Sequence, residues 1–138
     1  ADLDSAALET GQALPALIVP VTHRLIVGGA IATQDFIPVH HNVPAAQAAG
    51  MPDIFMNILT TCGLSARYLS DWAGPGSRLR ALKFSLMAPN HPGDTMVLEG
   101  QVAAISLDTK EPMVTVNFAG RNSLGFHVKG AGTLSLTR

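Results

Sequence analysis

Apolar positions along this chain follow two rhythms. Residues 14–21 and 25–32 are dense in Leu, Ile and Val and are broken by Thr22-His23-Arg24, which predicts two strands. Residues 1–13 show no such rhythm and read as a loose lead-in. A short helical turn is expected at 44–49, stopped by Gly50. Beyond it the spacing changes. Ile54, Ile58, Cys62 and Leu69, with Phe55 and Leu59 beside them, recur at helical intervals. Asp53 precedes them, and its carboxylate suits the unpaired amides of a first turn, so a helix over 53–71 is predicted. Gly74-Pro75-Gly76 ends it.

Four strand-like runs follow, at 80–87, 95–105, 113–122 and 126–136. They are separated by the turn sequences Pro89-Asn90-His91-Pro92-Gly93-Asp94, Asp108-Thr109-Lys110 and Ser123-Leu124-Gly125. In the last run Phe126, Val128, Leu134 and Leu136 share a face with Gly130 and Gly132, while His127, Lys129, Thr133 and Ser135 take the other. Glycines inside strands, at 100, 120, 130 and 132, permit curvature and close backbone approach. One long helix followed by antiparallel strands is an α+β layout, and the curved sheet has to wrap the helix because nothing else in the chain can cover both.

With 138 residues the chain fits a single domain over 1–138. It is 47% hydrophobic and only 14% charged, against a usual charged share of about 25%. So little solvated surface implies that part of the domain is covered by a partner chain. Nine basic and ten acidic residues leave no basic footprint for nucleic acid. No run reaches the ~18 apolar residues of a membrane span. Asp2, Asp4 and Glu9 without a basic region do not resemble a secretory signal, and the expectation is a cytoplasmic protein. The single Cys62 excludes an internal disulfide framework and reads as a small core residue.

The candidate chemistry lies between the second apolar run and the turn at 44–49. Asp35 and His40 stand five residues apart across Pro38. An Asp with a His is the smallest pair that can activate a water molecule and then protonate a carbon. Pro38 biases Ile37 away from helix, so the segment should leave the sheet as an overhang able to aim both side chains into one cleft. Neighbouring residues of an extended segment point apart, so His41 is expected to pack or cap the overhang. His23, His91 and His127 fall in turns or on a polar strand face and are read as solvated. Five scattered His residues with no ligand spacing give no metal site. Trp72, just past the helix, reads as a packing anchor.

Three stretches carry a family resemblance: Asp35-Phe36-Ile37-Pro38-Val39-His40, an Asp-x-x-Pro-x-His signature; the helix start Asp53-Ile54-Phe55-Met56-Asn57-Ile58-Leu59-Thr60; and the turn Pro92-Gly93-Asp94-Thr95. In this order they resemble the MaoC-like branch of the hotdog fold, the type-2 enoyl-CoA hydratases, over about residues 20–138. Asp71-Trp72-Ala73-Gly74-Pro75 and Gly120-Arg121-Asn122-Ser123-Leu124-Gly125 are further similar to the short subunits of the heteromeric actinobacterial steroid side-chain hydratases in that family.

The resemblance implies a hotdog fold, a long central helix wrapped by a curved antiparallel sheet. It implies addition of water to a trans-2-enoyl-CoA with a bulky acyl group, giving a 3R-hydroxyacyl-CoA by syn addition, with Asp35 and His40 catalytic. Phe55, Met56 and Asn57 would be substrate-binding. The family's thioester oxygen is held by the amide of a glycine, and where MaoC proteins usually read His-Gly-Met this chain has Met56-Asn57-Ile58, which gives that part to the Asn57 backbone. The Asn57 side chain could equally pack or share in oxyanion binding. Ala48 and Ala49 are candidates for the acyl wall, and Arg78, Arg80 and Lys83 for contacts with CoA phosphates or for a merely solvated cluster. Arg121 and Asn122 could support the dyad or a subunit seam. No cofactor is implied, since CoA belongs to the substrate. The implied partners are a second MaoC-like hotdog subunit and, further out, a lipid-transfer-type aldolase. A hotdog acyl-CoA thioesterase and a non-catalytic acyl-CoA-binding or scaffold subunit are the alternatives.

Overall fold

The computed structural model describes residues 3–107 and 110–136. Asp2 and part of the turn expected at Asp108-Thr109-Lys110 lie outside them. Strand β1 (Ala13–Pro20) leads into helix α1 (His23–Ala32), a single 3-10 turn at Pro38–His40, and the short helix α2 (Val43–Ala48). The long helix α3 (Ile58–Ala73) follows, then β2 (Arg78–Leu86), β3 (Thr95–Ser106), β4 (Met113–Asn122) and β5 (Gly125–Ser135). All pairings are antiparallel, in the order β1-β3-β4-β5-β2. Ahead of β1, the Gly11 amide bonds to the Val102 carbonyl and the Val102 amide to the Gln12 carbonyl, which extends the edge pairing.

Helix α3 touches both edge strands, β1 and β2, as well as β5, so the sheet curls round it. Curvature has a local cause in the glycines. Phe118 on β4 pairs with Gly100 on one side and Gly130 on the other. A Cβ on Gly132 would fall 2.3 Å from Leu69 Cδ1 of α3, so the bare backbone lets the helix sit low in the trough. Leu69, Leu98, Val116, Val128 and Leu134 are fully buried between helix and sheet, and Trp72 packs partly buried against this core.

Two elements depart from the reading of the sequence. Residues 25–32, expected as a strand, are helix α1. Thr22 Oγ1 accepts from the Leu25 amide as an N-cap, and Ile26 and Ala30, four residues apart, bury one face. The β-branched run suggested a strand, but Gly29 makes the helix the better solution because it lets α1 rest directly on Thr60 of α3. Helix α3, in turn, starts at Ile58 and not at Asp53. The Asp53 carboxylate bonds only to the next amide, Ile54, while Asn57 Oδ1 accepts from Thr60 N and is the real N-cap. The buried face of α3 is also turned from the expected one. It carries Thr60, Thr61, Ser65, Tyr68, Leu69 and Ala73, whereas Ile58 and Leu59 are exposed. Its hydroxyls can be buried because each finds a partner, as Ser65 Oγ does in donating to the Thr61 carbonyl.

The α1–α3 contact is tight at one residue, Thr60. A Cβ at Gly29 would lie 2.2 Å from Thr60 Oγ1, and a short β-branched side chain cannot swing away. Gly29→Ala should therefore destabilise the domain by about 1–3 kcal/mol. The adjacent Gly28, with nothing within 4 Å of an added Cβ, should gain about 0.4–1 kcal/mol when changed to Ala. Opposite shifts of the thermal midpoint for the two variants check this contact.

Candidate active site

Asp35 and His40 meet at the end of α1. Gln34 turns the chain with φ 57°, the left-handed region a non-glycine residue enters rarely, and the Asp35 amide closes back on the Ala30 carbonyl at 2.9 Å. Ile37 takes the extended conformation that precedes proline, φ −60° and ψ 127°, and Pro38 opens the 3-10 turn that carries His40. His40 Nε2 lies 3.3 Å from Asp35 Oδ2. Its Nδ1 is 2.7 Å from the Phe55 carbonyl, which can only accept, so Nδ1 carries a hydrogen and Nε2 turns toward the carboxylate. Phe55 also stacks edge-on against the His40 ring, with centroids 5.0 Å apart.

Asn57 is 2% exposed and joins this pair to both helices. Its Nδ2 donates to Asp35 Oδ2 at 3.0 Å and to Thr33 Oγ1 at 2.9 Å. This donor, with the Ile37 amide and the His40 ring, holds Asp35 below the usual carboxylate range against the opposing pull of burial. The Asn57 side chain is thus turned away from the cleft, and only its backbone is left to meet a ligand. The Met56 amide donates to the Asn90 carbonyl at 3.1 Å and is not open to a ligand. The amides of Asn57, Ile58 and Leu59 have no partner among the described residues, and they stand at the positive end of α3.

These groups open onto a cleft of about 360 Å³ lined by Asp35, His40, Phe55, Met56, Asn57, Ile58, Met87 and His127, among others. A second cleft of about 480 Å³, on the other side of Asp35, is walled by Val27, Ala30, Ile31, Phe36 and His41. His41 caps the overhang, with Nε2 3.4 Å from the Phe36 carbonyl. Ala48 and Ala49 are exposed and line neither cleft, because α2 turns them outward. Arg78, Arg80 and Lys83 lie on edge strand β2 away from both; Arg80 pairs with Glu111 and reaches Ser135 Oγ at 3.2 Å.

The far wall of the cleft is polar where the sequence suggested solvent. His127 is 2% exposed, with Nδ1 2.7 Å from the Ala88 carbonyl and Nε2 2.8 Å from Thr61 Oγ1. It is the extra residue of a bulge in β5, between Phe126 opposite Arg121 and Val128 opposite Gly120, and is turned there toward α3. His91 Nδ1 is 2.9 Å from the Ile54 carbonyl, so it ties the β2–β3 turn to the segment before α3. Asn122 donates to the Pro89 carbonyl at 2.9 Å and to Asn90 Oδ1 at 2.8 Å, which supports the turn that in turn holds Met56. Arg121 instead faces Glu99 on the exposed side of the sheet. Thr33, Thr61, Asn90 and His127 are not visible as site residues in the sequence, where no local pattern marks them. Among the described residues no group of three or more His, Cys, Asp or Glu side chains is placed to hold a metal ion, and no helix is long and apolar enough to cross a membrane.

A long helix wrapped by an antiparallel sheet, with a carboxylate and an imidazole 3.3 Å apart near the helix start, defines a hotdog domain. The chain belongs to the MaoC like domain family, which matches residues 6–119. It is 40% identical over 126 residues, 91% of this chain and 95% of the relative, to the 3-oxo-4,17-pregnadiene-20-carboxyl-CoA hydratase beta subunit of Mycobacterium tuberculosis. The crystal structure of the ChsH1-ChsH2 complex from Mycobacterium tuberculosis superposes with a TM-score of 0.88 at 40% identity, covering 94% of this chain and 98% of that one. The (R)-hydratase from A. caviae involved in PHA biosynthesis shares the fold, with a TM-score of 0.82 at 22% identity over 95% of this chain and 98% of that one.

Burial pushes the His127 imidazole below its usual range, only partly opposed by its bond to Ala88. The unfolded chain therefore binds a proton at His127 before the folded one does, so this residue's contribution to stability is full above about pH 6.5 and falls as pH drops below it. Urea midpoints measured on either side of about pH 6.5 should show this loss in the parent and a shallower one in His127→Gln.

Proposed function

We propose that this chain is the catalytic subunit of a heteromeric enoyl-CoA hydratase that adds water to a trans-2-enoyl-CoA carrying a bulky, steroid side-chain acyl group, giving the 3-hydroxyacyl-CoA. The observation that carries the reading is the 3.3 Å approach of Asp35 Oδ2 to His40 Nε2 beside the free amides of Asn57, Ile58 and Leu59. Similarity at 40% identity to a subunit of a steroid acyl-CoA hydratase supports the substrate class.

In this reading a water molecule sits between Asp35 Oδ2 and His40 Nε2 and donates to both. Its oxygen forms a bond to Cβ of the enoyl group while one of its protons passes to the dyad. The π electrons move through Cα to the thioester oxygen, where negative charge collects. Helix-terminal amides are preorganised donors for that charge and cost no reorganisation as it develops. Collapse of the enolate takes one proton from the dyad at Cα, and the net change is the addition of one water. Phe55 and Met56 form the wall against the reacting atoms. An apolar cleft beside a few convergent polar groups suits an acyl thioester with a large apolar body.

A second hotdog chain belongs to the proposal. Ile31, Phe36, Ile37 and Ile58, all around the dyad, are each more than half exposed in the single chain, and such a patch asks for cover. A structural relative forms a two-chain complex. Because Asp35 and His40 are paired here, with His40 buried and Asp35 half-buried, this chain would carry the dyad.

The chain, alone and together with a hotdog protein encoded beside it, should be assayed by loss of enoyl absorbance on a steroid enoyl-CoA and on crotonyl-CoA. Hydration of the steroid thioester by the mixed complex is the expected result. The double substitution Asp35→Ala, His40→Ala should lower kcat/KM by about 100- to 10,000-fold. Hydration that survives it would make the chain a silent subunit. Release of free CoA in place of enoyl loss would make it a thioesterase.

A further inference from the structure

We infer that the Asn57 carboxamide is a positioning residue for the dyad, fixing the direction in which Asp35 points and keeping that carboxylate ionised. This rests on the hydratase reading and goes beyond it, since there only the backbone of residue 57 has a part.

The argument starts from how few ways the amide can be placed. The Thr33 hydroxyl spends its single hydrogen on the Gly29 carbonyl at 2.8 Å, with the Ala30 carbonyl at 3.2 Å, so its oxygen must accept from Asn57. On the other side, the Thr60 amide and the Thr60 hydroxyl both donate to Asn57 Oδ1. A flipped carboxamide would set donor against donor at Thr60 and leave buried groups unpaired, at a cost of about 1–3 kcal/mol for each. Nδ2 therefore faces α1, and its second hydrogen has one acceptor left, Asp35 Oδ2 at 3.0 Å.

Two consequences follow for the carboxylate. Its other oxygen is held by the Ile37 amide at 3.3 Å, so the plane of the group is fixed at both ends and Oδ2 is aimed at His40 Nε2. A proton placed on Oδ2 would meet the Asn57 N–H, and hydrogen bonding to the charged form favours that form. The carboxamide also spans the C-cap of α1 at Thr33 and the first turn of α3, so the relative placement of the two helices is transmitted to the dyad.

Two substitutions separate positioning from capping. Asn57→Asp keeps an oxygen to cap Thr60 but replaces the donor facing Asp35 with an acceptor. Asn57→Gly removes the side chain and keeps the amide in the cleft. Measured on the two-chain complex with an enoyl-CoA substrate, both should lower kcat about 10- to 100-fold with KM changed by less than about threefold. Both should also move the acid limb of kcat/KM upward by about one pH unit or more. Asn57→Asp with parental kcat and an unmoved acid limb would reduce Asn57 to a helix cap. Titration of the Asp35 carboxyl carbon by NMR gives a readout independent of turnover, and it should shift upward in Asn57→Gly. Equal titration in parent and variant overturns the inference. A shifted titration in a complex that hydrates no enoyl-CoA would sink the hydratase reading and leave this one standing. Should Asn57→Gly fail to fold, Thr33→Val frees one partner of the amide, keeps the cap, and should move the same limb in the same direction.

Discussion

A buried carboxamide has two donors and one doubly accepting oxygen, and at Asn57 all are committed at once. That constraint organises the rest of the molecule. It starts α3 at Ile58 and not five residues earlier, because the chain must stay extended until the amide has reached Thr33 and Asp35. It requires Thr60 to face α1, and Thr60 in turn requires a residue without a side chain at position 29. The segment before α3 is then pinned from the opposite side by Asn90 and His91, and His127 holds Thr61 in the first turn, so the helix start is held in place from two directions.

The sheet supplies the second half of that frame. Its curl is a matter of missing side chains, with Gly100 and Gly130 flanking Phe118 and Gly132 making room for Leu69. A flatter sheet would carry α3 further out and draw Thr61 away from His127. Buried polar groups in this wall are all satisfied among the described residues, which is the condition under which a polar network adds definition to a core.

Much of this could be read from residue order. The strands of the second half, the stop at Gly74, the short helix near Pro44 and the extended Ile37 before Pro38 follow from alternation, glycine and proline chemistry that act within a few residues, although the overhang leaves helix α1 and not a strand and winds into a 3-10 turn. The α+β layout was legible from the pattern, and the hotdog architecture and the pairing of Asp35 with His40 through resemblance to MaoC-like sequences. What was not legible depended on contacts distant in sequence. Residues 25–32 have the composition of a strand, and only the crossing of Gly29 over Thr60, thirty-one residues away, decides for a helix. His127 alternates onto a face that looked polar, but a bulge opposite Gly120 and Arg121 turns it toward Thr61 of α3, and an alternation pattern cannot report a bulge. Asp53 and Asn57 are both good caps by type. The choice between them falls to Thr33 and Asp35, which no local window contains.

The amides of Asn57, Ile58 and Leu59 sit on the rigid end of the longest helix, yet among the described residues none accepts a hydrogen bond from them. Deuterium would enter there quickly while the next turns of α3 stay closed. A ligand oxygen received at that helix start would reverse the order without any movement of the backbone. The site therefore carries its own isotopic reporter of occupancy, one that reads binding directly and is indifferent to whether turnover follows.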